Sequence, residues 1–178
     1  MKITDIKLGR ISVPLKKPFK TAIRTVNSVE DIIVRIETDT GHVGYGEAPP
    51  TGAITGDTTG AIIGAIEDHI KKTLIGMDIE NLEEIMIKLE NSIVGNTSAK
   101  AAVDIAIYDL FGQLYNAPVY KLLGGYRKEI TTDITISVNE PEEMARDSIK
   151  AVKQGYNTLK IKVGKDSKMD IKRMKAIR

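Results

Sequence analysis

Apolar positions change their spacing twice along the chain. From Ile3 onward they fall in short β-branched runs: Ile3, Ile6, Leu8, Ile11 and Val13, then DIIVRIET, then HVGYGEA. Near-alternation with Ile, Val and Thr enrichment predicts strands. Pro14 and Pro18 close the first run, leaving KPFKTAIRTVNSV as the loop before the second. Asp39-Thr40-Gly41 predicts a three-residue hairpin turn with Gly41 at positive φ. The expected result is a three-stranded antiparallel meander, followed by the loop PPTGAITGDT.

From Asp57 the spacing turns helical. Asp57 or Thr58 can cap a first helix, in which Ile62, Ile66 and Ile70 recur every four residues. A second helix fits 80–91, with Leu82, Ile85, Met86 and Leu89 on one face. The third has Ser98 as its expected cap. Ala99, Ala102, Val103, Ala106, Ile107, Leu110, Phe111 and Leu114 fill its inner face. Ala101 and Ile105 widen that face, which predicts a largely buried helix. Asn116 and Pro118 end it, and PVYKLLGG makes one short turn.

Beyond Gly125 the order is strand (EITTDITISV), helix (PEEMARDSIKAVKQG), strand (NTLKIKV), helix (KDSKMDIKRMKAIR). The last helix carries a loose stripe of Met169, Ile171, Met174 and Ile177. This is a βαβ pattern, which implies parallel strands and a right-handed crossover. The chain is therefore expected to divide into an α+β domain over 1–125 and the start of an α/β domain over 126–178.

Composition narrows the function. Lys and Arg number 26 against 24 Asp and Glu, a net charge of +2, which gives no electrostatic case for a nucleic-acid partner. Absence of cysteine excludes disulfides, thiol nucleophiles and Cys-ligated metals. His42 and His69 lack metal-spaced partners. No run approaches the ~20 apolar residues of a membrane span. MKITDIKLGR has no apolar signal core, so a cytoplasmic protein without membrane attachment is expected. A complete eight-stranded barrel takes ~250 residues, more than this chain has. Its last helix lacks stop signals, so the expectation is a chain that ends inside a fold.

The sharpest chemical signal is Leu159-Lys160-Ile161-Lys162-Val163. Alternation puts both lysines on one face, ~6.6 Å apart along the strand. Mutual repulsion and burial would each favour a neutral amine, the form a general base needs. The same alternation also fits a half-exposed strand with solvated lysines. Thr131, Asp133, Thr135 and Ser137 share one face of the preceding strand. Arg24, in the first long loop, can pair bidentately with a carboxylate, or serve as a surface charge. GHVGYGE lies in a hairpin, not between strand and helix, which argues against a dinucleotide site.

Taken in order, VGYGEA, PPTGAITG, AKAAVDIAIYDLFGQLYNAPVYKLLGG, TISV, PEEM and QGYNTLKIKVG resemble the enolase superfamily, muconate-lactonizing subgroup. Within it the chain looks most like dipeptide epimerases of the L-Ala-D/L-Glu type. The resemblance implies an N-terminal capping domain over 1–125, and the first two βα units of a truncated (β/α)7β TIM-like barrel over 126–178. It implies Lys162 as the base that removes a proton α to a carboxylate through an enediolate, with Lys160 beside it. Arg24 would hold a substrate carboxylate, Thr135 would approach from the first barrel strand, and Phe19 and Ile54 would line the pocket. Mg²⁺ is the implied cofactor, with ligands beyond residue 178 and none assigned here. The implied partner is a small dipeptide, with a homo-oligomer or the missing C-terminal part completing the site. Muconate cycloisomerase, o-succinylbenzoate synthase and N-acylamino acid racemase share the Lys-x-Lys strand. A non-catalytic capping fragment acting as a binding or assembly module is the alternative of another class.

Overall fold

The computed structural model describes residues 1–178. The polypeptide divides into two compact units, Met1–Val13 with Val29–Tyr126, and Pro14–Ser28 with Arg127–Arg178. No helix in either is long and apolar enough to cross a membrane.

The antiparallel meander is β1 (Ile3–Lys20), β2 (Thr25–Thr38) and β3 (Val43–Ala48), in that spatial order; β1 up to Val13, β2 from Val29 and all of β3 belong to the first unit, and the span Pro14–Ser28 to the second. β2 and β3 are joined by the expected turn, with Gly41 at φ 80° and the Thr38 N–H donating to the His42 carbonyl at 3.2 Å. The first loop is much shorter than the prolines suggested: β1 runs to Lys20 and β2 starts at Thr25. β1 is an edge strand, where a proline needs no ladder partner for its missing N–H.

The helices are α1 (Thr59–Ala65), a π-helical turn (Ile66–Ile70), α2 (Lys71–Leu74), α3 (Leu82–Asn91), α4 (Thr97–Leu114) and α5 (Val119–Leu122). The π turn follows from the sequence spacing. Ile62, Ile66, Ile70 and Leu74 are all buried, and all lie four apart. At 3.6 residues per turn, each step of four drifts by ~40°, so three steps would rotate Leu74 about a third of a turn off the core. A wider turn in the middle absorbs that drift.

α4 packs on β3. A Cβ at Gly44 would fall well under 3.0 Å from the Ala106 carbonyl oxygen, and one at Gly46 likewise from the Ala102 carbonyl oxygen. GHVGYGE is thus a close-packing signature, with helix backbone resting on strand backbone. The α4 cap is Asn96, at φ 50°, and not Ser98, whose hydroxyl donates to the Asp57 carboxylate at 2.6 Å. Ala101 and Ile105 are exposed, Ile105 by 50%, so α4 keeps a solvent face instead of being buried all round.

Lys71 ties the helical layer to β1. Its ammonium lies 2.7 Å from Asp5 Oδ1 and donates to the Ile6 carbonyl at 2.9 Å. The lysine's hydrogen bond holds the Asp5 carboxyl below the usual 3.8. Asp5 in turn holds Lys71 above 10.5. The stabilisation is therefore complete between those ordinary values. It is lost as pH falls through the depressed Asp5 value, or rises through the raised Lys71 value. Asp5→Asn should melt lower than wild type at pH 7, with the gap closing in acid below the ordinary carboxylate range. A gap that persists there in thermal melts would contradict the pairing.

The second unit holds the parallel pair β4 (Ile134–Ile136) and β5 (Leu159–Ile161), with α6 (Pro141–Lys153) between them and α7 (Ser167–Ile177) after. Both strands are shorter than EITTDITISV and NTLKIKV suggested, because a ladder forms only where a partner strand lies alongside. Ile136, Met144 and Ala151 form the buried centre, with Ile134, Tyr156, Leu159, Ile161 and Ile177 packed against it. α7 departs from its expected stripe. Ile171 and Met174 are 58% and 47% exposed, and the buried residue is Arg173.

Candidate active site

β4 and β5 pair Thr135 with Lys160, between the pairs Ile134–Leu159 and Ile136–Ile161. The isoleucines and Leu159 pack toward α6 and α7, so Thr135 and Lys160 face the opposite side of the sheet. Lys162 continues the ladder, its N–H donating to the Ile136 carbonyl at 3.1 Å, and alternation returns its side chain to the lysine face. Lys162 is half-buried and Lys160 exposed. The sequence-predicted pairing of two amines on one polar face is therefore present, next to a threonine hydroxyl.

Arg24 belongs to the same unit. It closes the tight turn 21–24: the Thr21 N–H donates to the Arg24 carbonyl at 2.9 Å, and the Arg24 N–H to Thr21 Oγ1 at 3.2 Å. That turn abuts the exit of β5, since a Cβ at Gly164 would lie 3.8 Å from Ala22 Cβ. The tail of β1 that feeds the turn is held by β4's end. The Val138 N–H donates to the Lys20 carbonyl at 3.2 Å, and the Lys20 N–H to Ser137 Oγ at 3.3 Å. Arg24 Nε is buried without a hydrogen-bond partner. A buried guanidinium donor left open is costly, and an anionic acceptor would satisfy it.

Phe19 is half-buried and shares a cleft of ≈ 300 Å³ with Thr135, Ser137, Lys17 and Asp147. Ile54 lies in the first unit, 62% exposed on the turn that follows Pro50. Five of the six expected residues thus fall in the second unit, and Ile54 does not. No three His, Cys, Asp or Glu side chains come together in a way that could hold a metal ion. The residues of this chain do not by themselves fit a Mg²⁺ site.

Polar residues around the two strand ends carry little signal in the sequence. Lys20 Nζ donates to Asn139 Oδ1 at 2.9 Å, and Arg173 and Asp170 pair at 2.7 Å. Only the i, i+3 spacing of Asp170 and Arg173 is a visible pattern.

The N-terminal domain of mandelate racemase / muconate lactonizing enzyme matches residues 3–124. The chain belongs to that family. L-Ala-D/L-Glu epimerase of Clostridium acetobutylicum is 67% identical over all of this chain and 50% of its own length. The enzyme of the same description from Bacillus subtilis is 52% identical, with 49% of its length covered. A substrate-liganded structure of the Bacillus subtilis L-Ala-D/L-Glu epimerase superposes with a TM-score of 0.97, over 100% of this chain and 50% of that one. A dipeptide epimerase from Enterococcus faecalis, complexed with Mg and L-Leu-L-Tyr, gives 0.95 at 43% identity, over 100% and 50%. The chain spans about half the length of the curated relatives it matches. Within the mandelate racemase / muconate lactonizing family, the meander and its helices are the N-terminal capping domain of the enolase superfamily.

Proposed function

We propose that this chain supplies the capping domain, 1–125, and the first two βα units, 126–178, of a Mg²⁺-dependent dipeptide epimerase. Lys162 is the base that removes the proton α to a carboxylate. The supporting observation is one juxtaposition: the Lys160–Lys162 face ends against the turn whose Arg24 Nε is buried and unpartnered.

Proton removal α to a carboxylate builds a dianionic enediolate, unstable unless positive charge meets it. Lys160 supplies part of that charge from its place beside Lys162. Arg24 anchors a carboxylate of the dipeptide, Thr135 offers a hydroxyl from β4, and Phe19 gives apolar lining. Mg²⁺ is assigned to no residue of this chain. Its inclusion rests on the Enterococcus faecalis complex with Mg and a dipeptide. The substrate in this reading is a small dipeptide met in the cytoplasm.

The test fuses this chain to the second half of the Clostridium acetobutylicum relative and incubates the product with L-Ala-L-Glu and Mg²⁺ in D₂O. Deuterium is expected at the α-carbon of the glutamate. No incorporation, where the intact relative incorporates it under the same conditions, would overturn the proposal. Arg24→Met should raise KM about tenfold or more, the loss of one charged hydrogen-bond pair. An N-succinyl amino acid, the substrate type named for a Bacillus cereus racemase at 38% identity, serves as the competing substrate. Faster exchange on it would move the assignment to that branch.

A further inference from the structure

We propose that Arg173 is a positioning residue for the Lys162 end of β5, which it locks to the end of β4; this rests on Lys162 as the base. Arg173 is buried on α7, where the helical pattern leads one to expect an apolar side chain. Its Nε donates to the Asn139 carbonyl at 2.7 Å and its guanidinium Nη1 to Asp170 Oδ1 at 2.7 Å. The other Asp170 oxygen accepts the Gly164 N–H at 2.8 Å. Gly164 comes two residues after Lys162, at φ 109°, a conformation that gives the backbone little support of its own.

Asn139 is three residues past β4. Its side chain accepts from Lys20 and donates to Glu143 Oε1 at 3.1 Å. One guanidinium therefore fixes the exits of both strands that carry the polar face. The Gly164 N–H first, and Arg173 second, hold the Asp170 carboxyl below its usual range, so the latch stays ionised at neutral pH.

A planar fork can meet two acceptors at a set angle, which an ammonium cannot. A buried ion pair of this kind adds little stability over an apolar residue, so geometry is the better account of its presence. Lys162 sits on backbone that this latch holds, and a base misplaced by ~1 Å can cost ~100-fold in rate.

Two measurements decide it. In this chain, Arg173→Lys should speed hydrogen exchange at the Gly164 amide at least tenfold, with the α4 amides of Ala102 and Ala106 unchanged. Asp170→Asn, which weakens the acceptor of that N–H itself and leaves the Asn139 contact in place, should give an acceleration at least as large at the same amide. In the fused enzyme, Arg173→Lys should lower kcat between ~10- and ~100-fold with KM changed less than about threefold. Unchanged Gly164 exchange in Arg173→Lys, or an unchanged kcat in the folded variant, overturns the proposal. A kcat loss matched by an equal rise in KM also overturns it, because that is a general loss of structure. An inactive wild-type fusion would count against the epimerase reading instead, and the amide exchange would still judge the latch.

Discussion

Lys162→Ala is expected to lower α-deuteration by the fused enzyme by ~10²–10⁴-fold, the usual contribution of a general base. The effect should be chemical and not structural. Lys162 is half-buried, its ladder bond to Ile136 comes from the backbone, and its side chain belongs to neither apolar cluster. The variant should therefore keep its melting temperature while kcat collapses. Lys160→Ala tests the same face from a different side. Lys160 is opposite Thr135 and exposed; in the proposed reading it adds charge near the reacting carbon and Lys162 takes the proton. Its loss should slow turnover less than that of Lys162. Rapid exchange surviving Lys162→Ala in a folded protein would remove the base from this strand, and with it the mechanistic reading.

The largest stability effect is expected at Gly46. Its added methyl in Gly46→Ala would collide with the Ala102 carbonyl oxygen and crowd the Ala106 N–H. Both are backbone groups inside α4, so no rotamer change relieves the clash. Overpacking usually costs ~1–3 kcal/mol where side chains can shift. Here strand and helix must separate, so a loss of at least ~3 kcal/mol is expected, a large part of the ~5–15 kcal/mol that typically holds a domain. Gly60 is the internal comparison. It lies in α1 with nothing within 4 Å of an added methyl and no positive φ, so Gly60→Ala should be neutral or stabilising by up to ~1 kcal/mol. Urea midpoints of the two variants check both signs. A Gly46→Ala midpoint near wild type would mean that α4 does not rest on β3 as described.

Much of the architecture is legible in the sequence, because it depends on local periodicity. The three β runs, the Gly41 turn, the helical segments and the final βαβ order all follow from spacing and punctuation. So does the shared face of Lys160 and Lys162, since side chains alternate along any strand. The Arg24 segment is visible there only as a loop. Its buried Nε and its place beside Gly164 depend on contacts between segments more than a hundred residues apart.

Tertiary structure overrules local signals in identifiable places. Pro14 and Pro18 read as strand ends, yet β1 passes through both because an edge strand can do without those N–H groups. Ser98 reads as a cap, yet its hydroxyl is taken by Asp57 and Asn96 occupies the cap position, without a side-chain bond to the helix. Met169, Ile171, Met174 and Ile177 read as a core stripe, yet Ile171 and Met174 are exposed and Arg173 is buried beside Ile177, because the Asn139 carbonyl and the Asp170 carboxylate meet its guanidinium there. By itself the sequence determined which residues share a face, since that depends on bond geometry within one element. Which faces meet, and which polar groups find partners, only the packing of distant segments decided, since a hydrogen bond needs both of its ends in place.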